Sequence, residues 1–140
     1  MKSSVSRLWP GLLWLVFAGF LPAWAAEQPA GPCKVEVRPD ILVATVDGVE
    51  LMLDLHLPEG VENPPLVMFT HGGAWKTGDR KRFRIPWVAA NGYAVASIEY
   101  RMSHEAPFPA QIHDCKGALR WLRAHASDYG YDAERVVVAG

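Results

Sequence analysis

The sequence has few cysteines, no excess of either charge, and no repeated or low-complexity tract. Two cysteines, Cys33 and Cys115, in 140 residues do not make the disulfide framework of a small secreted domain. The 14 basic and 15 acidic residues nearly balance, which argues against a nucleic-acid partner. Half of the residues are hydrophobic, which excludes a disordered or collagen-like chain.

Charge is also missing from the run "LWPGLLWLVFAGFLPAWA", which follows Lys2 and Arg7. A basic start, an apolar centre and an A-x-A-like end predict a signal peptide over residues 1–25, cleaved after Ala25. The alternative is a retained membrane anchor, since about 18 uncharged residues span a bilayer. Cleavage leaves a domain with 12 basic and 15 acidic residues, no membrane span and an exported location, either periplasmic or secreted.

Residues 40–60 predict a β-hairpin. Asp47-Gly48 is a favoured turn dipeptide, and leucines alternate with other residues after it at positions 51, 53, 55 and 57. The apolar runs "LVMFT", "YAVASIEY" and the closing "VVVA" read as buried strands.

Two helices are predicted between these strands. The first extends from Asp79 to Ala90, with a kink or a late start at Pro86. The second has one apolar face, which favours a buried free thiol at Cys115 although pairing with Cys33 stays open. That face consists of Ile112, Cys115, Leu119, Leu122 and Ala126.

Strands that alternate with helices indicate a doubly wound, mostly parallel α/β sheet that begins with an antiparallel hairpin. Ligands of such sheets bind at the carboxyl ends of the strands. The glycine-rich segment His71–Gly73 and Gly140 each follow a strand, so we expect them to face the same crevice.

The segment "FTHGGAW" combines two glycines with a sharp exit from a buried strand. Glycines leave backbone amides uncovered by side chains. Uncovered amides that point into a crevice stabilise the oxyanion of acyl transfer, and each is worth about 3 kcal/mol of barrier.

Three blocks of the sequence carry a resemblance: "VMFTHGGAWKTGD", "YAVASIEYRMSHEAPFPAQIHD" and "CKGALRWLRAHASDYGYDAERVVVAG". They resemble the N-terminal part of α/β-hydrolase esterases and lipases of the His-Gly-Gly-Gly type, in the hormone-sensitive-lipase-like and bacterial feruloyl-esterase-like branches. The resemblance implies a small-molecule ester substrate and no cofactor or metal. It makes residues 26–140 an incomplete α/β-hydrolase domain.

The resemblance also implies the site residues. The backbone amides of Gly72, Gly73 and Ala74 would form the oxyanion hole, with Gly73 and Ala74 as the best candidates. Trp75 either lines the acyl or alcohol pocket or packs against the loop. Ala74 replaces a third glycine and keeps the donor N–H, but its Cβ disfavours positive φ, so the oxyanion hole is expected to form with Ala74 at negative φ. Gly140 matches the first glycine of the G-x-S-x-G elbow, which places the serine two residues later. A polypeptide of these 140 residues is therefore expected to be inactive alone.

Other chemistry-bearing residues have simpler interpretations. His71 is expected to shape its loop through hydrogen bonds, and His113-Asp114 is not expected to form half of a triad, because helix neighbours do not face each other. Tyr100-Arg101 and residues 107–109 are expected to act as braces. The basic run over residues 76–84 is expected to be a solvated helix face, with an anionic substrate or a membrane surface as the alternative partner.

Three alternative functions remain open. The first is a binding protein of the same fold whose elbow has lost its serine, and the second is an exported serine peptidase. The third is a membrane-tethered protein without enzymatic activity, which requires that the signal peptide stays uncut.

Overall fold

The computed structural model describes residues 31–140, so the predicted signal peptide lies outside the described residues. Five strands and three helices follow one another along this part of the chain. They are β1 (Val35–Val46), β2 (Val49–Pro58), β3 (Pro65–Thr70), α1 (Pro86–Ala90), β4 (Ala94–Ile98), α2 (Ala110–Ala124), α3 (Ala126–Tyr129) and β5 (Asp132–Ala139).

The strands form one mixed sheet in the order β1-β2-β4-β3-β5. β1 pairs with β2, and β2 with β4, in antiparallel orientation. β3 pairs in parallel with β4 on one side and with β5 on the other. The predicted α/β fold with an N-terminal antiparallel hairpin is therefore confirmed.

Period-two alternation decides which side chains are buried in the hairpin. The four leucines of β2, at positions 51, 53, 55 and 57, are all buried, and three of them join the main core under α2 and α3. A second, smaller core contains Val67, Phe69, Ala89 and Val95 and lies on the side of α1. Two hydrophobic layers therefore cover the two faces of the sheet.

The first predicted helix is shorter than expected. α1 begins at Pro86, because a proline in the first turn loses no helical hydrogen bond, and residues 79–85 form an irregular segment with one turn instead. The late start is one of the two outcomes that the sequence allowed.

The apolar face predicted for the second helix is partly wrong. Ile112 is 42% exposed, whereas the polar residues Gln111 and Asp114 are buried on α2. The helix is rotated so that these two side chains meet backbone groups and Arg101 of the loop after β4. Leu122 occupies the core as predicted.

The closing strand also differs from its prediction. Val137 and Val138 of β5 are 57% and 58% exposed, although their sequence is typical of a strand covered on both faces. β5 is the edge strand of the described sheet, so its side chains have neighbours on the β3 side only.

Within residues 31–140, no helix is long and apolar enough to cross a membrane. Cys33 and Cys115 are both free thiols. They do not pair because they lie on opposite faces of the sheet. The Cys33 amide donates to the carbonyl of Ala90 at the end of α1, whereas Cys115 belongs to α2 and packs against the main core.

Candidate active site

The carboxyl ends of β3 and β5 lie side by side, because these strands are parallel neighbours. The Thr70 hydroxyl donates a hydrogen bond to the Ala139 carbonyl at 3.0 Å. A Cβ on Gly140 would lie 2.9 Å from the Thr70 carbonyl oxygen, so only glycine fits here without a shift. The end of β5 is thus fixed against the start of the glycine-rich loop.

Gly72, Gly73 and Gly140 line one cleft of about 630 Å³ at this edge of the sheet. Two segments that are more than 60 residues apart in sequence are therefore brought together, as expected for the carboxyl ends of neighbouring parallel strands. Ala74 is not among the residues that line this cleft.

The loop after β3 closes on itself in a tight turn. The Gly73 carbonyl accepts hydrogen bonds from the amides of Lys76 and Thr77 at 3.1 and 3.2 Å. A Cβ on Gly73, whose φ is 131°, would lie 1.8 Å from the Thr77 carbonyl oxygen. A Cβ on Gly78 would lie 2.4 Å from the Gly72 carbonyl oxygen. Both glycines are therefore required by close backbone approach.

The amides of Gly72, Gly73 and Ala74 form no hydrogen bond to any group of residues 31–140. In contrast, the amides of Lys76 and Thr77, later in the loop, are bonded to the Gly73 carbonyl. Gly72, Gly73 and Ala74 are exposed, so their amides face solvent. These three groups are available for an acceptor on a ligand.

The expectation that Ala74 has negative φ is wrong. Its φ is 54°, and that of Trp75 is 59°, so two residues with side chains follow Gly73 in the left-handed region. Each costs about 1–2 kcal/mol relative to right-handed backbone. The turn compensates through the bonds to Gly73 and through the Trp75 carbonyl, which accepts the Ser103 amide at 2.8 Å. Backbone strain is therefore stored in this loop.

His71 shapes the loop through both its backbone and its ring. The Tyr100 hydroxyl donates to the His71 carbonyl at 2.8 Å, and the two rings stack at 4.5 Å. His71 Nδ1 is 3.0 Å from the Gly72 carbonyl, which requires that Nδ1 carries the proton. Nε2 is then an acceptor, and it is buried without a partner in the described part of the chain.

Arg101 braces the loop that follows β4. Its guanidinium binds both carboxylate oxygens of Asp114 at 2.9 Å, and it reaches Asp47 in the hairpin turn at 2.7 Å. The hydrogen bond to Asp114 is the main reason that the pKa of Arg101 is raised. Asp114 therefore pairs with Arg101 and not with His113. Phe108, predicted as part of the same brace, is 80% exposed and packs little.

The solvated helix face predicted for the basic run is contradicted at Arg80. This side chain is 5% exposed and makes ion pairs with Asp40, Asp54 and Glu99. Burial lowers the pKa of Arg80, but the hydrogen bond to Asp54 and the charge of Glu99 outweigh it, so the pKa is raised. Sequence reasoning missed this residue, because its three partners are scattered over residues 40–99.

Arg80 fixes the far end of the glycine-rich loop. Its carbonyl accepts a hydrogen bond from the buried Ser97 hydroxyl at 2.7 Å. The near end of the loop is held by Tyr100 at His71. The strained turn is thus held at one end by Ser97 of β4 and at the other by Tyr100, which follows β4.

Trp75 borders a second cleft, of about 230 Å³, next to the first. The indole is 62% exposed, and Gly140 lines both clefts. Cys115 also lines the smaller cleft, and burial raises the pKa of its thiol to about 11. This thiol is therefore protonated and a weak nucleophile at neutral pH. The full lining is Thr70, His71, Trp75, Tyr100, Gln111, Ile112, Cys115 and Gly140.

Residues 31–140 contain no group of three or more His, Cys, Asp or Glu side chains placed to hold a metal ion. What the site offers is backbone amides, a buried histidine acceptor and apolar walls. Of these groups, the backbone amides are the ones that stabilise negative charge on an oxygen atom, because they are hydrogen-bond donors.

Comparison with known proteins identifies similar sequences. A model of the BD-FAE family matches residues 53–140. The chain is 39% identical over 83 residues to carboxylesterase NlhH of Mycobacterium tuberculosis, covering 56% of this chain and 26% of NlhH. It is 39% identical over 121 residues to carboxylic ester hydrolase LipN of the same organism, covering 81% of this chain and 31% of LipN.

A solved structure shows the same fold. The thermophilic esterase Est2 of Thermogutta terrifontis superposes with a TM-score of 0.65 and 26% identity, over 78% of this chain and 40% of Est2. The chain thus spans between a quarter and a third of the length of the two curated relatives, and two fifths of Est2.

Proposed function

Because the chain belongs to the BD-FAE family and has the α/β-hydrolase fold of its esterase relatives, we propose that it acts in serine-dependent hydrolysis of carboxylic esters. The observation that carries the proposal is the arrangement at the edge of the sheet. Unpaired amides of the loop after Thr70 stand beside the cleft that Gly140 also lines.

In this mechanism a serine attacks the ester carbonyl, and the carbonyl oxygen becomes negative in a tetrahedral intermediate. The amides of Gly72, Gly73 and Ala74 donate hydrogen bonds to that oxygen. Gly73 is the strongest candidate, since it lines the cleft and its position is fixed by contact with Thr77. The hydrogen bonds to the carbonyls of Gly73 and Trp75 hold the strained turn and its donors in place before the substrate arrives, so no reorganisation is needed during the reaction.

The serine would stand two residues after Gly140, where the tip of β5 meets Thr70. A histidine would accept its proton, and an acid would orient that histidine. Residues 31–140 contribute the oxyanion loop to this machinery. A polypeptide limited to residues 1–140 is therefore proposed to lack ester hydrolysis.

We further propose that the exposed indole of Trp75 contacts the substrate. It borders the smaller cleft of about 230 Å³, whose walls include Ile112 and Cys115. A cleft of this size accommodates a short acyl or alcohol group. A neutral thiol and an aliphatic side chain suit such an apolar group better than a charged one.

An exported location is also proposed, on the signal-peptide pattern of residues 1–25. Mass spectrometry of the protein secreted by its native host would test this. A mature N-terminus at Ala26 supports export with cleavage, whereas an intact Met1 would favour the membrane-tethered alternative.

The proposed hydrolase is tested with the product of the complete open reading frame that encodes these residues. We expect turnover of p-nitrophenyl acetate and covalent labelling by a fluorophosphonate probe, with the label on a serine two positions after Gly140. Turnover without label at that position would contradict the proposed nucleophile. Absence of both, with another residue in that place, would favour the non-catalytic binding protein.

A further inference from the structure

The cleft beside the glycine-rich loop has charge of one sign only. Besides Gly72, Gly73 and Gly140, its walls include Arg82 and Arg84, and the cleft has no acidic lining residue among the described part of the chain. The remaining lining residues are Phe69, His71, Thr77 and Gly78. A cleft of about 630 Å³ is within the usual size of small-molecule sites.

An adjoining cleft has the opposite charge. A smaller cleft of about 260 Å³ shares Gly78 with the first, and its ionisable lining is acidic except for the hydroxyl of Tyr100. The acidic residues are Glu50, Asp79, Glu99 and Glu105. Gly78 therefore borders both a cationic cleft and an anionic one. An anionic ligand is attracted to the first cleft and repelled from the second.

The positive charge in the larger cleft is only partly neutralised by the protein. The Arg82 guanidinium lies 3.6 Å from the carboxylate of Asp79, and this carboxylate also accepts a hydrogen bond from the Arg82 backbone amide. Arg84 has no ion pair within residues 31–140. In contrast, buried carboxylates satisfy Arg80 and Arg101. Arg84 therefore keeps a guanidinium with free donors at the wall of the cleft.

From this arrangement we infer that the cleft binds the carboxylate of an ester whose far end is negatively charged, such as a monoester of a dicarboxylic acid. Arg84 is the principal contact and Arg82 the second, because a guanidinium binds a carboxylate through two parallel hydrogen bonds. The inference rests on the proposed ester hydrolysis and specifies the substrate class of the same site.

The carboxylate of such a monoester lies at the other end of the acyl chain from the bond that breaks. A remote carboxylate is bound equally in the ground state and in the transition state, so its loss raises KM and leaves kcat little changed. Because the arginines are exposed, added salt weakens the contact. Both properties distinguish a charge-recognition site from a general effect on the fold.

The test uses the product of the complete open reading frame and a pair of esters that differ at the far end of the acyl chain, where one has a carboxylate and the other its uncharged methyl ester. Mono-p-nitrophenyl adipate carries a carboxylate, and methyl p-nitrophenyl adipate does not. The measured quantity is the ratio of their KM values, neutral over anionic. The variants are Arg84→Gln, Arg82→Gln and the double substitution. Arg123→Gln is the matched control, since Arg123 is an exposed arginine on α2 away from the cleft.

We expect the original protein to favour the anionic ester, and Arg84→Gln to lower the KM ratio about threefold to tenfold. The double variant should lower it further, the control should leave it unchanged, and 0.5 M salt should mimic the double variant. A ratio near one in the original protein, or a ratio that Arg84→Gln does not change, would overturn the inference while hydrolysis of the neutral ester still supports the proposed function.

A second measurement does not depend on turnover. Isothermal titration calorimetry with adipate itself should show binding that Arg84→Gln weakens and Arg123→Gln does not. If adipate binds in this way but neither ester is hydrolysed, the proposed function fails and the anion site stands. If adipate does not bind at low salt, the anion site is rejected.

Discussion

Replacement of Gly73 by alanine perturbs the proposed oxyanion hole most directly. The new Cβ would lie 1.8 Å from the Thr77 carbonyl oxygen and 2.6 Å from its carbon, both backbone atoms. Real Cβ contacts keep at least 3.0 Å, so the two segments must separate by roughly 1.2 Å. The φ of 131° at this position adds strain, because residues with a Cβ rarely adopt it.

The expected cost follows from that displacement. Gly73 also accepts the amides of Lys76 and Thr77, so a shift of this size opens the turn that holds the donors. A misplacement of about 1 Å at a reacting centre costs about 100-fold in rate. Loss of one oxyanion donor costs about 100-fold to 1,000-fold in kcat. We therefore expect kcat of Gly73→Ala to fall by two to three orders of magnitude, with KM changed much less.

The assay is steady-state hydrolysis of p-nitrophenyl butyrate by the product of the complete open reading frame, with circular dichroism to verify folding. Gly117→Ala is the matched control, since a Cβ at Gly117 on α2 meets open space, and alanine favours the helix by about 1 kcal/mol. Gly72→Ala should lose far less than Gly73→Ala, because it has room and keeps its amide. A folded Gly73→Ala protein within tenfold of the original kcat would refute the reasoning.

Three further outcomes are expected of the same protein. Leu122→Ala, which empties a fully buried position under α2, should lower the free energy of unfolding by about 2–5 kcal/mol in urea titration, and a loss below 1 kcal/mol would contradict the assigned core. Cys115 should resist iodoacetamide at pH 8, because a pKa of about 11 leaves about one thiol in a thousand ionised. In guanidinium the same thiol should react at the rate of an ordinary thiol. Equal rates in the two conditions would exclude the raised pKa. Asp114→Asn should lower the melting temperature more than Asp47→Asn, since Asp114 is buried against Arg101 whereas Asp47 is 83% exposed. The reverse order would mean that Asp47 in the hairpin turn is the main partner of Arg101.

The sheet could be predicted because its signals are local. The Asp47-Gly48 turn and the alternating leucines set the hairpin, and each apolar run became a strand of the sheet. The position of Gly140 beside Thr70 followed from the parallel order of β3 and β5. Each of these predictions needed only the identity of a few neighbouring residues and one general rule of strand packing.

The burial of Arg80, Gln111 and Asp114 could not be predicted, because it depends on partners distant in sequence. Arg80 is held by carboxylates of β1, of β2 and of the residue that follows β4, and Asp114 is held by Arg101. An apolar stripe alone indicated Ile112 as the buried position, but a guanidinium beneath the helix favours a carboxylate on that side. Hydrophobic periodicity has no information on such pairs.

The positive φ of Ala74 was missed for a different reason. An intrinsic preference of about 1–2 kcal/mol argued for negative φ. The tertiary context outweighs that preference, because the turn is fixed by its bonds to Gly73, by the close approach of Thr77 and by Ser103 on the Trp75 carbonyl. Local preferences fail most often at such strained functional loops.

The central claim is that the backbone N–H groups after Thr70 hold the oxygen on which charge develops. A crystal structure of the complete open reading frame product after reaction with a p-nitrophenyl phosphonate tests it most directly. The account predicts the phosphonyl oxygen at about 2.7–3.1 Å from the nitrogen of Gly73 and of at least one of Gly72 and Ala74. An oxygen more than about 3.5 Å from all three nitrogens, held by other groups, would contradict it.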